Sequence, residues 1–206
     1  MSDEWAPEAP RTLPPEGILA TRKIRILSDA DAYKNNLQWS QLAVDYAKEA
    51  LPIGSSNKLG DIASSLGGSV GCVVGMRIRR KFDGQRFPTM IDYIRYVAAS
   101  GRKAKCGNCG ELSALAFIFL YDNGVRPLDW MEIKNGDHNF VLIGRKKTRD
   151  ITDPRTWGAR CVVSDPWKNW VGAGESVGTM KNPSPVGYGN SEYNEVIQYD
   201  TAHRED

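Results

Sequence analysis

Helix-period segments fill the first half of the chain and short apolar runs the second, an order that predicts an α+β fold with helices packed on an antiparallel sheet. Two more observations sharpen this. The stretch K-C-G-N-C-G-E-L-S-A-L-A-F, Lys105 to Phe117, puts Cys109 at the mouth of an apolar helical segment, and His138 and Asp165 lie in the strand-like runs that follow. The chemically distinctive residues are therefore divided between one helix start and the sheet.

Residues 1–17 are proline-rich and lack apolar periodicity, which predicts a flexible leader. A first helix opens at Ser28, with Asp29 and Asp31 complementing its dipole, and runs until Pro52. Tyr33, Leu37, Leu42, Tyr46 and Ala50 form its expected buried stripe, packed on the cysteine-bearing helix. The Gly54 to Gly68 segment, G-S-S-N-K-L-G-D-I-A-S-S-L-G-G, reads as loop. Cys72 to Ile78 reads as a short apolar strand whose R-I-R-R-K end, Arg77 to Lys81, is either solvated or a docking patch for an acidic partner. A second helix spans Thr89 to Ala99 and is broken by Ser100-Gly101. The cysteine helix runs from Cys109 to about Tyr121 and ends at Asp122-Asn123-Gly124. Strands are expected at Trp130 to Lys134, His138 to Gly144 and Cys161 to Ser164, with an edge strand at Glu195 to Tyr199. The organisation is then a leader (1–17), one domain (18–172) and a Gly/Ser/Pro-rich tail (173–206).

Lysine and arginine number 27 against 25 for aspartate and glutamate, and the small excess is dispersed, so a nucleic-acid partner is not expected. No apolar run reaches the roughly 20 residues needed to span a bilayer. The acidic, proline-rich N-terminus is unlike a cleavable secretory signal. Four cysteines in 206 residues do not read as a disulfide framework, so reduced thiols and a cytoplasmic site of action are expected, either in the producing cell or in a target cell reached without a cleavable signal.

A free cysteine titrates near 8.5, whereas one at a helix N-terminus beside an imidazolium can fall to roughly 3.5–7.5 and become a nucleophile. Cys109 meets the first condition, and its backbone N–H can donate to a developing oxyanion. Gly110 leaves room for a substrate. His138, in D-H-N-F-V-L-I-G, would share a strand face with Phe140 and Leu142; the other histidine, His203, lies in the tail. Asp165 ends the Cys161-Val162-Val163 run before Pro166, where a carboxylate can hold the second imidazole nitrogen. Asp137 and Asp153 are rivals for that role. Asn108, beside Cys109, is a candidate oxyanion or substrate group. Trp157, Trp167 and Trp170 either wall a cleft or pack in the core.

The C-G-N-C-G-E segment, followed by D-H and then by a strand ending D-P, resembles the transglutaminase-like branch of the papain-like cysteine enzymes, and locally the R-C-G-x-C-G-E-W-A segment of peptide N-glycanases. The resemblance covers roughly residues 100–170. Leu112 stands where those glycanases have tryptophan, and their two separated C-x-x-C pairs have no counterpart here. The resemblance implies a papain-like or transglutaminase-like fold, with Cys109 as nucleophile, His138 as base and acid, Asp165 as orienting group, and a second oxyanion donor from an upstream tryptophan or glutamine, for which Gln38, Trp39 and Gln41 are the candidates. It also implies a protein substrate, attacked by a deamidase, protease or cross-linking enzyme without metal or other cofactor. Chains of this kind also look like stand-alone effectors that bacteria deliver into other cells.

Three further readings compete. Cys106 and Cys109 are half of a zinc knuckle whose other half is missing. As C-G-N-C they also suit a thiol-disulfide oxidoreductase, though no apolar strand leads into Cys106. An enzyme-like binding module with an idle triad is the third. Under the hydrolase reading Cys106 is a bystander or a regulatory thiol able to pair with Cys109, and Cys72 and Cys161 are buried small hydrophobes.

Overall fold

Ser28 opens the first helix as expected, its hydroxyl accepting from the Asp31 N–H at 3.1 Å. A computed structural model describes residues 27–134, 137–147, 151–178 and 193–199. The leader expected at 1–17 and His203 lie outside these residues. Among them, five helices come first: α1 (Asp29–Ala50), α2 (Leu59–Ser64), α3 (Gly68–Phe82), α4 (Met90–Ala104) and α5 (Cys109–Asp122). Five strands follow: β1 (Leu128–Ile133), β2 (Asn139–Ile143), β3 (Val162–Asp165), β4 (Trp170–Ala173) and β5 (Tyr193–Tyr199). They pair antiparallel in the order β4-β3-β2-β1-β5, so the fold is α+β. No described helix is long and apolar enough to cross a membrane.

The central strands β1, β2 and β3 pack on both faces of the sheet. Leu128, Trp130, Val141 and Ile143 point to α1, α4 and α5, whereas Met131, Ile133, Phe140, Leu142 and Val163 point the other way, against Trp157, Cys161 and Val177. Alternate residues of β1 and β2 thus serve two different cores. β4 crosses the boundary expected at residue 172, and Val177 beyond it is buried. A buried ion pair, Arg145 Nη2 to Asp129 Oδ1 at 2.9 Å, ties the end of β2 to β1.

Four expectations need correction. The Gly54 to Gly68 segment is not loop throughout, because Leu59–Ser64 within it forms α2. The Cys72 to Ile78 run is part of the α3 helix and not a strand, because Ser69, Val73 and Met76 return every three to four residues to the inner face. α4 does not break at Ser100-Gly101. Thr89 and Asp92 form its capping box, Gly101 is buried where an added Cβ would lie 3.0 Å from Glu111 Cβ, and Lys105 ends the helix in the left-handed region. The buried face of α1 is Ala32, Asn35, Asn36, Trp39, Ser40, Ala43, Val44 and Ala47, whereas Tyr33, Leu37, Leu42, Tyr46 and Ala50 are only half-buried. Polar residues take the inner positions because carbonyls in β3 and just before it face them as acceptors. Asn36 Nδ2 donates to the Arg160 carbonyl and Ser40 Oγ to the Val163 carbonyl, both at 2.9 Å.

Candidate active site

α5 is apolar almost all round, so it can lie only in the middle of the molecule, and Cys109 at its first position is fixed with it. Glu111, 1% exposed, reaches back to the Asn108 N–H at 2.8 Å and closes the N-terminal turn. Its second and third partners come from α3: Arg80 Nη1 at 2.9 Å and Arg77 Nη2 at 3.3 Å. These two cations offset the cost of burying a carboxylate there. The preceding loop is equally constrained. A Cβ on Gly107 would sit 2.4 Å from Glu111 Cβ, Gly107 N donates to the Gly54 carbonyl, and Ile53 N donates to the Lys105 carbonyl. Beside Gly110 an added Cβ would meet only Asn139 Oδ1, at 3.9 Å, so this side of the helix start is open.

His138 immediately precedes β2, its carbonyl accepting from Ile133 N at 3.0 Å, and its ring stacks on Phe140 with centroids 6.2 Å apart. Asp165 ends β3. Because β2 and β3 are antiparallel, with Val141 opposite Ser164, the end of one strand meets the start of the other. His138 Nε2 lies 2.7 Å from Asp165 Oδ2, and the second carboxylate oxygen accepts from Lys168 N at 3.0 Å. Nε2 is so engaged, Nδ1 is buried, and the Cys109 side chain is close enough to act on the imidazole. The Cys109 thiol itself donates to the Asp137 carbonyl at 3.3 Å.

Burial by itself would pull the imidazole pKa down. Hydrogen bonding to Asp165 and Cys109, together with their negative charge, outweighs it and raises His138 from 6.5 to about 9. Near neutral pH the imidazolium is therefore the favoured form, held between a carboxylate and a sulfur. His138 thus pairs with Asp165 through Nε2 and has the Cys109 side chain beside it.

Trp167 borders this group. Its ring centroid lies 5.4 Å from that of His138, its Nε1 donates to Asn57 Oδ1 at 2.9 Å, and Lys58 Nζ sits 5.5 Å from the ring centroid. The other aromatic candidates divide: Trp157 is core, with Nε1 on the Ile151 carbonyl, and Trp170 packs against that core. Asn108 is occupied, exchanging hydrogen bonds with Ser56 N and Oγ, so it braces the loop and is not available to a substrate. Trp39 packs on Phe119 inside the core, Gln38 is exposed on α1, and Gln41 bonds Asp45. Of the carboxylate rivals, Asp137 is exposed and offers only its carbonyl, and Asp153 caps a 3-10 turn while paired to Arg155. The sequence reading passed over the Ser55 to Lys58 loop, whose only signal was its cluster of turn-forming residues, and the Arg77/Arg80/Glu111 cluster, which no local pattern announces.

The cysteines also need correction. Cys72 and Cys106 form a disulfide, Cα–Cα 6.2 Å, so two of the four thiols are not reduced, and Cys106 is neither half of a Cys106/Cys109 dithiol nor a zinc ligand. The pairing follows from the helix at 68–82, which turns Cys72 toward the end of α4. Cys109 and Cys161 are free. Burial and the nearby Asp129 charge push the Cys161 thiol far up, which makes it inert. Among the described residues, no three His, Cys, Asp or Glu side chains gather as metal ligands would. Comparison with protein-family models, curated proteins and solved structures gives no match.

Proposed function

We propose that the chain is a cysteine-dependent amide hydrolase or acyl transferase of papain-like or transglutaminase-like architecture, acting on a protein. The observation that carries this reading is the buried group of Cys109, His138 and Asp165 at the start of a rigid central helix. The contact from Cys109 to the Asp137 carbonyl requires the thiol proton. Where the ring is neutral, its proton on Nε2 toward Asp165, transfer of the thiol proton to Nδ1 breaks the contact and leaves a thiolate beside the imidazolium that Asp165 favours. The thiolate attacks a carboxamide or peptide carbonyl, while first-turn N–H groups of α5, which have no helical acceptor, face the developing oxyanion. His138 returns its proton to the departing ammonia or amine, and a thioester remains on Cys109. Water, giving a proton to His138, then releases the acid, or a second amine gives a new amide.

Side-chain deamidation ranks first among the outcomes, peptide cleavage second and cross-linking third. Intact-mass measurement of candidate proteins after incubation tests the reading: deamidation adds about one dalton, cleavage gives fragments, and cross-linking gives conjugates. Any of these must vanish in Cys109→Ala, with a loss of roughly 10³-fold or more, and survive in Cys161→Ala. An idle triad would instead leave Cys109 unreactive. Iodoacetamide labelling that is no faster in the native chain than in His138→Ala would therefore overturn the proposal. Delivery into another cell is part of the proposal through resemblance alone. Retention in the producer's cytosol while a secretion system is active would remove it.

A further inference from the structure

α3 carries its longer apolar line on the outside. Val70, Val74, Ile78 and Phe82 recur every four residues and are 39, 51, 50 and 81% exposed, while the inward line is Ser69, Val73 and Met76. At 100° per residue the two lines fall on nearly opposite sides of the helix. The outer line is about 18 Å long at 1.5 Å per residue. Leu66, in the turn four residues before Val70, is 96% exposed and extends it.

The charge beside this line has one sign. Between Gly68 and Phe82 the helix holds Arg77, Arg79, Arg80 and Lys81 and no carboxylate. Arg77 and Arg80 turn inward to Glu111, which leaves Lys81 on one flank and Arg79 on the other. A groove of about 620 Å³ runs between α3 and α4 with Ile78 and Phe82 at its lip and Arg79, Arg80 and Lys103 inside. Asp83 lines its end and is engaged by the Tyr96 hydroxyl.

We propose that the outer face of α3 docks on an anionic lipid bilayer, with Val70, Val74, Ile78 and Phe82 entering the headgroup boundary and Arg79, Lys81 and Lys103 meeting lipid phosphate. Charge complementarity selects an anionic partner. Lipid fits better than an occupant of the groove: Val70 and Val74 lie outside it, so a surface covering the whole outer face of the helix meets all four apolar side chains, whereas an occupant of the groove meets only Ile78 and Phe82. A basic amphipathic helix lying in the plane of a membrane has this cross-section. The chain does not span the bilayer in this arrangement. Binding is independent of the catalytic proposal because it is read without substrate.

The test is flotation of the full chain with vesicles of phosphatidylcholine, with and without phosphatidylserine. The expected result is partition at least roughly tenfold stronger onto phosphatidylserine vesicles, weakening with salt. The double variant Val74→Asp/Ile78→Asp loses it, and Arg79→Glu/Lys81→Glu/Lys103→Glu abolishes the preference. These side chains are exposed, so an unchanged melting midpoint and an intact Cys72–Cys106 bond certify each variant as folded. Absence of partition, equal partition onto both vesicles, or binding unaffected by the apolar double variant would overturn the proposal. So would a dimer in solution that Val74→Asp dissociates, or an acidic amphipathic peptide that binds this face while vesicles do not.

Discussion

α3 and α5 are nearly equal in length, 15 and 14 residues, yet eleven residues of α5 are buried against three of α3. α5 is located by area: Leu115, Phe117 and Leu120 meet the sheet and the other helices, and displacing it would open the whole core. α3 is located by points. A disulfide to Cys106, two ion pairs to Glu111 and the Val73/Met76 cluster attach it to the rim. All three attachments converge within a few residues of Cys109, so the helix that packs least is fastened to the turn on which the chemistry depends. Packing fixes where the sulfur is, and the attachments of α3 fix how tightly its turn is held.

The contrast can be broken experimentally. Phe117→Ala should cost about 3–5 kcal/mol by chemical denaturation, whereas Val74→Ser on the exposed face of α3 should change stability by no more than about 0.5 kcal/mol. Similar losses at the two sites would refute the distinction between area and points. Removal of the bond in Cys72→Ala/Cys106→Ala, whose partners are 34 residues apart, should cost about 2–4 kcal/mol in the chain-entropy account and lower Tm by roughly 5–15 °C. Phe117 would remain protected in that variant, but labelling of Cys109 would slow if the turn loosens.

The pH dependence sharpens the same point at the site. His138 has its folded pKa raised to about 9 from 6.5, so its contribution is fully present below about 6.5 and is lost as pH rises through 9. Wild type should therefore lose a few kcal/mol of stability across that window relative to His138→Gln, seen as converging denaturation midpoints. Parallel curves would show that the imidazolium is not held by Asp165 and Cys109. Smallest is Arg77→Ala. Its side chain is 44% exposed and Arg80 still pairs Glu111, so about 1 kcal/mol or less is expected, with Arg80→Ala costing more.

The same contrast decides what could be read in the sequence. The start of α5 was legible because Ala114 to Tyr121 is an unbroken apolar run close behind a glycine-rich turn. The β1, β2 and β3 runs were legible from local alternation to within two residues, and the Cys, His, Asp order followed from those elements. α3 was misread because its valines and Ile78 favour a strand and its glycines disfavour a helix, and its helical period runs along the outward face, where burial does not reward it. The α1 stripe was misplaced because apolar spacing does not register carbonyls at Arg160 and Val163 that welcome Asn36 and Ser40. The brief β4 strand, W-V-G-A, is set by its hairpin with β3 and carries no pattern of its own.

The chain alone determined its fold class, the helix bearing Cys109, the sheet segments bearing His138 and Asp165, and the pairing of those three residues as candidates. These are consequences of period, composition and turn chemistry within a few neighbouring residues. Tertiary structure alone decided which face of α1 and α3 is inside, the bond from Cys72 to Cys106, the two arginines on Glu111 and the neighbours of Trp167. Each of these joins residues far apart in sequence, and their meeting depends on the shape of everything between them.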